Sequence, residues 1–487
     1  MSIKTNKLLE TSTPFIQAIF LSVVVACWQM FFKLEENADI YFVMNIGRHI
    51  IENGFPHVDP FTIHENLKLV PQQWLSGIFF WKAYEFLGVN GLQFLNCIVG
   101  AILIVLYWRL CIFISGGNKF LAFLLSFVVG IFAATMILPR PQIFSTLLLL
   151  GEVFFLEKFT RTKDFKFLLP LPLLSMLLIN FHAAVWLMSL VLCLPFLFVK
   201  DMRHVKFLLA AMLGIFLCGL INPYGLDAMT YVLRSYGVDL ISQGVKEMAT
   251  PTAHDLRGKI FYLSAALIIF SLTKFKVSWR YIFLSGGITF MAIMHGRNLI
   301  LFYFLATLPL AYVWKSFGAK KSLGNNGELL RRNILLFVVA LIIGGIFFTT
   351  LDENKKEPDG VFAAAMKFLI KDGRPENISL YVNQGYGGLA GMFGIKYYID
   401  SRSEVFIAAN NGQKNILAEY VNFRSGKIYY KDFFARYKFT HIIVTSDDYF
   451  LYRQLTDDKN FRVIYEGERV EGYNFVRCKI FVPKNEA

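Results

Sequence analysis

Six side chains in this 487-residue chain stand out for the chemistry they could do: Asp39, Asp59, Arg140, His182, Glu247 and Arg297. Each lies in a polar break between long apolar runs. Asp39 belongs to EENADIYFVMNIGRHIIENGFPHVDPFT, the first such break. A carboxylate there can act as a general base, taking the proton of an acceptor hydroxyl opposite a departing phosphate. It can equally cap the helix that IYFVMNIGRHIIEN predicts. Asp59, in HVDPFT, reads as a turn residue, a second acid or a metal ligand, because Asp-Pro favours a turn. Glu35 and Glu36 read as a solvated charge pair. Arg140 in LPRPQ and Arg297 in MHGRN suit phosphate, since guanidinium keeps its charge and binds phosphate oxygens two at a time. Simple snorkelling to the interface is their other reading. His182, beside Asn180 in INFHAAV, and Glu247, in VKEMATP, are polar contacts for a substrate or satisfied structural groups. Glu152 is the clear acid inside an apolar run, and a partner within the bundle is expected for it.

The elements that must position these residues are membrane helices. The chain is 55% hydrophobic and 17% charged, with 50 Phe, against roughly 25% charge in soluble domains. Apolar runs predict about eleven spans, near 14–32, 91–112, 119–137, 142–159, 166–180, 183–199, 206–222, 259–274, 280–295, 298–315 and 333–350. No small-residue cleavage site follows the first run, so a removable signal peptide is not expected. The net charge of +14 reads as Lys and Arg collected in cytoplasmic loops, not as a nucleic-acid surface. Five of the six cysteines fall in apolar runs, leaving Cys478 alone in the tail without a disulfide partner there.

Residues 166–199 and 281–314 would each be about 50 Å long as one helix, at 1.5 Å per residue. Both blocks carry cations at both ends, so each predicts a hairpin with its ends in the cytoplasm. Residues 119–158 repeat the pattern. The three hairpin tips, carrying Arg140, His182 and Arg297, then face outward. With Lys4 and Lys7 holding the N-terminus inside, the loop 33–90, the loop with Glu247 and the tail are expected outside too. Residues 1–350 thus form a transmembrane domain with an extracytoplasmic first loop. Within that loop QQWLSGIFFWKAYEFLG predicts a second amphipathic helix anchored at the interface by Trp74 and Trp81. From 351 to 487 the composition turns soluble. SLYVN, KYYID, HIIVT, RVIYE and VRCKIFVP read as strands, and VFAAAMKFLIKDG and KDFFARYKF as helices, of a small α/β domain.

The order of these motifs resembles the bacterial GT-C membrane glycosyltransferases, which include dolichyl-phosphate-mannose-protein mannosyltransferase-like and aminoarabinose transferase-like proteins. The resemblance runs from Asp39 and QQWLSGIFF through PRPQIFS, INFHAAVW, INPYG, KEMATP and HGRNLILF to NQGYGGLAGMFGIKYYIDSRSEVF, with Gly387, Gly388, Asp400 and Arg402. It implies a polytopic GT-C fold with a small C-terminal domain and an inverting transfer. The donor would be a polyprenyl-phosphate sugar at the outer face of a bacterial plasma membrane. The resemblance sets Asp39 at the catalytic position and makes Arg140 and Arg297 holders of the lipid phosphate. The acceptor is a glycan, lipid or protein, and a divalent metal is left open. Asp39 has no adjacent acid of the mannosyltransferase Asp-Glu kind. A lipid-linked oligosaccharide flippase, a surface polysaccharide polymerase or ligase, and a non-catalytic assembly protein are the other readings. Polar residues gathered on one membrane face, rather than at mid-bilayer, favour an enzyme over a transporter.

Overall fold

The computed structural model describes residues 3–28, 34–36, 38–235, 249–316, 331, 333–342, 360–372, 374–445, 448–468 and 477–484. The chain divides into two compact units. One holds residues 1–32, 92–229 and 242–352; the other holds 33–91, 230–241 and 353–487. The first loop therefore groups with the tail, a division different from a single cut at residue 350.

The first unit is helical. Among the described residues, five helices are long and apolar enough to cross a membrane: Val89–Ile114, Phe165–Val185, Met202–Gly219, Leu256–Lys274 and Gly296–Val313. Five more apolar helices are shorter, among them Lys119–Ala134, Leu187–Leu197 and Trp279–Met294. Gln142–Thr162 has the length of a span but includes Glu152, Glu157, Lys158 and Arg161. The expected polytopic helical architecture is present, and among the described residues five of the eleven expected spans are matched by helices both long and apolar enough to cross a membrane. The run expected at 183–199 forms as Leu187–Leu197, because Ala183–Val185 close the preceding helix as a 3-10 turn, and its own last turn, Leu194–Leu197, is 3-10 with Pro195 inside it. Of the run expected at 333–350, the described part is Asn333–Ile342.

Side-chain caps mark several helix starts. Asn118 accepts from the Leu121 amide, Asp201 from Arg203 and His204, and Asp255 from Gly258. Small residues let helices approach closely. A Cβ on Gly219 would lie 2.4 Å from the Trp186 ring, and Trp186 donates to Ser175 Oγ at 2.8 Å. Glu152 finds its partners inside the bundle, accepting from Ser189 Oγ at 2.6 Å and Cys193 Sγ at 3.6 Å. Glu157 is held by Arg280 through two bonds of 3.1 and 3.3 Å.

The second unit is built on a five-stranded sheet: β1 (Ser379–Tyr381), β2 (Lys396–Tyr397), β3 (His441–Thr445), β4 (Phe461–Glu466) and β5 (Cys478–Pro483). The order is β2-β1-β3-β5-β4. β1 runs parallel to β2 and β3, while β5 is antiparallel to β3 and β4. The first loop extends this sheet, with Thr62 bridging Tyr397 and the Ile63 amide donating to Tyr397 O at 3.0 Å.

Both helices predicted for the first loop form, over Ile40–Asn53 and Trp74–Leu87. They cross at glycines: a Cβ on Gly47 would lie 2.1 Å from Gly77 O. Ile40–Asn53 also packs on the Gln384–Met392 helix. Asn45 donates to Gly388 O at 2.7 Å, and the Arg48 guanidinium donates to Gly391 O and Met392 O at 2.9 and 3.0 Å. A cation at a helix C-terminus satisfies its last carbonyls and matches its dipole.

Candidate functional site

In the second unit, Asp39 precedes the Ile40–Asn53 helix with φ −60° and ψ −22°, and its side chain makes no cap bond. Capping is therefore not what this carboxylate does here, although its backbone carbonyl accepts from Val43 at 3.4 Å. The residue is half-buried. Glu36, expected to be solvated, instead accepts the Ala363 amide at 2.7 Å in the first turn of the Val361–Asp372 helix. A carboxylate suits that end of a helix.

Asp59 is engaged on both oxygens. Oδ2 accepts from the Thr62 amide at 3.0 Å and the Thr62 hydroxyl at 2.7 Å. Oδ1 accepts from Arg402 Nη1 at 2.6 Å. The same guanidinium donates through Nε to both oxygens of Asp400, at 2.8 and 3.0 Å, and Tyr397 donates its hydroxyl to Asp400 at 2.6 Å. All three charged side chains are buried. Burial pushes the Asp400 carboxyl above its usual range, with Arg402 and Tyr397 pulling it back. Asp59 also borders a cavity of about 620 Å³ with His64, Glu376 and Lys396. Burial holds His64 down to about 4, so it is neutral near pH 7. In that state its Nε2–H donates to Tyr398 O at 2.8 Å.

In the first unit, three separate segments meet at a cavity of about 370 Å³. The first is the Leu138–Gln142 turn, where two prolines fix the backbone around Arg140 and Pro141 leads into Gln142–Thr162. The second is the 249–252 loop with the first turn of Leu256–Lys274, including Asp255 and Arg257. The third is the tip at Gly296 and Arg297. The loop is pinned on both sides: the Gly296 amide donates to Ala249 O at 3.0 Å, and the Tyr262 hydroxyl to Pro251 O at 2.7 Å. Arg140, Arg257 and Arg297 thus line one cavity, at the N-terminal ends of three helices. Helix N-termini and guanidinium groups both favour an anion.

His182 is not among the residues that line this cavity. It is buried, hydrogen-bonded through Nδ1 to Ser145 Oγ at 2.8 Å, and within electrostatic reach of Arg297. Glu247 lies outside the described residues. So the structure gathers Arg140, Arg297 and His182 in the first unit, while Asp39 and Asp59 belong to the second. Arg257 was not picked out from the sequence. Its signal was there: Asp255, two residues ahead, is a capping residue that opens an apolar run, which puts Arg257 in a helix's first turn. Among the described residues, no group of three or more His, Cys, Asp or Glu is arranged to hold a metal ion.

The crystal structure of the Archaeoglobus fulgidus oligosaccharyltransferase, tethered with an acceptor peptide containing the NVT sequon, superposes with a TM-score of 0.50. The alignment covers 88% of this chain and 68% of that one at 11% identity. The chain shares the overall fold of that protein. At this identity the likeness is one of fold alone. No family model and no curated protein matches the chain.

Proposed function

We propose that this chain is an inverting membrane glycosyltransferase of the GT-C type. It takes a sugar from a polyprenyl-phosphate-linked donor and passes it to a glycan, lipid or protein acceptor of the cell envelope, at the outer face of a bacterial plasma membrane. The observation that carries this reading is the three-arginine cavity at three helix N-termini, in a chain with the fold of an oligosaccharyltransferase.

Asp39 is the general base. It takes the proton of the acceptor hydroxyl as that oxygen bonds to the anomeric carbon. The bond from that carbon to the phosphate oxygen breaks in the same step, and the lipid phosphate leaves with the bonding electrons. Arg140, Arg257 and Arg297 stabilise the charge that develops on it, so the leaving group needs no proton. His182 positions the first turn of Gln142–Thr162 through its bond with Ser145, and Glu247 serves as a contact for sugar or acceptor. Asp59, with both oxygens taken up by Arg402 and Thr62, contributes by fixing the first loop rather than by offering a free carboxylate.

The test is mass spectrometry of envelope glycans and glycoproteins from a deletion strain complemented with wild type or Asp39→Asn. A sugar lost in the deletion should return with wild type alone, because removing a general base lowers transfer by about 10²–10⁴-fold. Full transfer by a folded Asp39→Asn protein would sink the assignment of the base.

A further inference from the structure

We infer that the cleft of about 620 Å³ in the second unit is a saccharide-binding site, and that it takes the acceptor as a glycan chain. Its role toward the acceptor rests on the glycosyltransferase reading above; the saccharide site rests on the cleft's own geometry. The size falls within the roughly 300–1,000 Å³ of ligand sites, which are lined mostly by apolar side chains. Here Ile63 and Ile378 are the aliphatic lining, and the rest is polar or aromatic. One wall is the tip of a hairpin over residues 57–69 of the first loop. The Asp59 amide donates to Leu67 O at 2.8 Å, and the Leu69 amide to His57 O at 2.9 Å. The tip turns at Asn66, whose φ of 56° is one that asparagine tolerates. Gln413 donates its side-chain amide to the Glu65 and Asn66 carbonyls at 3.3 and 2.7 Å. A second wall is the 3-10 turn Pro375–Asn377 leading into β1. It is closed by the Asn377 amide on Arg374 O at 3.0 Å and the Ile378 amide on Pro375 O at 3.1 Å. Backbone bonds thus fix both walls. The side chains of Glu65, Asn66, Glu376 and Asn377 make no bond to the protein among the described residues.

His64 supplies the buried member of the lining. It is 8% exposed, and its ring meets those of Tyr398 and Tyr437 edge-on, with centroids 5.0 and 5.9 Å away. Nε2–H is spent on Tyr398 O, so Nδ1 carries a lone pair, and no group among the described residues donates to it. An unfilled acceptor on a buried side chain costs free energy until a donor reaches it. A sugar hydroxyl both donates and accepts. It can donate to His64 Nδ1 or to the carboxylates of Glu65 and Glu376, and accept from Lys396 or the carboxamides of Asn66 and Asn377. Tyr437, its hydroxyl held by Glu419 and by Lys414 Nζ at 2.9 Å, offers a fixed aromatic surface for the C–H face of a sugar ring. The first loop, which builds the hairpin wall, also carries Asp39 in the same unit. That favours the acceptor, whose hydroxyl Asp39 deprotonates, over the donor.

The probe is a set of short oligosaccharides released from the envelope glycans of the strain that makes this protein. Saturation-transfer NMR reads them against the full-length protein in a detergent whose headgroup is not a sugar. Wild type should give signals from the sugar-ring protons. The double variant Glu65→Ala/Glu376→Ala takes one carboxylate from each wall and no bond from the fold, so its Tm should match wild type. It should bind at least about tenfold more weakly, the worth of one hydrogen bond to a charged group. Should it not fold, Asn377→Ala on the exposed turn replaces it. No saccharide signal with wild type, or an unchanged affinity in the variant, overturns the inference. Polyprenyl-phosphate-linked sugars extracted from the same strain should not displace the fragments. Displacement would make the cleft a donor subsite and overturn the acceptor role. Transfer that persists in a protein binding no glycan overturns the cleft's assignment and leaves the glycosyltransferase reading standing. Glycan binding by a protein whose deletion loses no sugar keeps the saccharide site and overturns its acceptor role.

Discussion

Replacing Arg402 with methionine tests the buried network of the second unit most directly. The guanidinium serves two carboxylates, Asp59 and Asp400, whose side chains are 0% exposed, and is itself 3% exposed. Removing one partner of a buried ion pair costs about 3–5 kcal/mol, because the other charge is left uncompensated. Two carboxylates are stranded here, but neither is bare. Asp59 keeps the two donors of Thr62, and Asp400 keeps the Tyr397 hydroxyl and the backbone amide of residue 402. The two considerations offset, and about 4 kcal/mol is the expected loss. In a unit of about 200 residues, each kcal/mol moves Tm by roughly 2–4 °C, so Arg402→Met should melt about 8–16 °C below wild type near neutral pH. The sign of the pH dependence follows from Asp400, whose folded pKa already lies above its ordinary value. Such a group contributes stability in full below its unfolded pKa and loses it as pH rises through the folded value, and loss of Arg402 lifts the folded value further. The deficit should therefore be largest near pH 7.5 and shrink toward about pH 5, as the stranded Asp400 takes up a proton. Scanning fluorimetry of the full-length protein in detergent, at one scan rate, measures both. A variant melting within about 2 °C of wild type near pH 7.5, or a deficit equal at the two pH values, would refute the reasoning.

Two other substitutions probe packing and membrane chemistry. Gly47→Ala places a methyl group 2.1 Å from the Gly77 carbonyl oxygen, and a backbone contact cannot rotate away. A loss of about 1–3 kcal/mol is expected, read as a lower Tm, and an unchanged Tm would show that the two helices separate freely. Glu152→Gln should keep transfer within about twofold of wild type, because the acid bonds inward to Ser189 and Cys193 and lies about 15 Å along its helix from Gln142. Transfer more than about tenfold down in a folded Glu152→Gln protein would instead give this mid-span acid a part in the mechanism, as a transporter reading requires.

Local signals carried much of the fold. All five strand segments read in the tail form strands, because each is a short β-branched or aromatic run between turn residues. The helix Ile40–Asn53 ends where Asn53-Gly54 predicts, with Gly54 at φ 85°. The helix Gln384–Met392 was not legible. Four of its nine residues are glycine, a composition that costs roughly 1 kcal/mol per glycine against alanine. Tertiary contacts make up the difference. A Cβ on Gly387 would lie 2.2 Å from Ile399 O, and one on Gly391 would lie 2.5 Å from Asn45 Nδ2. The glycines that weaken the helix on its own are what let it sit against its neighbours. Helix propensity sees only the first half of that trade.

The same division between local and distant signals applies to the candidate site. Arg140 and Arg297 drew attention because cations flank both blocks that carry them, and the positive-inside rule turns that pattern into two tips on one face. In the structure the two residues border one cavity. Arg402 and Asp59 are separated by 343 positions, and no periodicity reaches that far. Asp59 alone looked like a turn residue or an acid in search of a ligand, and its partner could be found only by folding the chain. Arg257 falls between these cases. Its helix start was marked by Asp255, but a charge in a first turn is ordinarily a solvated one. It gains meaning from the two arginines that other hairpins bring to the same rim. The ligand that three guanidiniums and one carboxylate would take is therefore a property of converging helix ends. The motif order supplied a phosphate as an expectation, and the meeting of Arg140, Arg257 and Arg297 at one cavity is the observation on which the phosphate-site proposal rests.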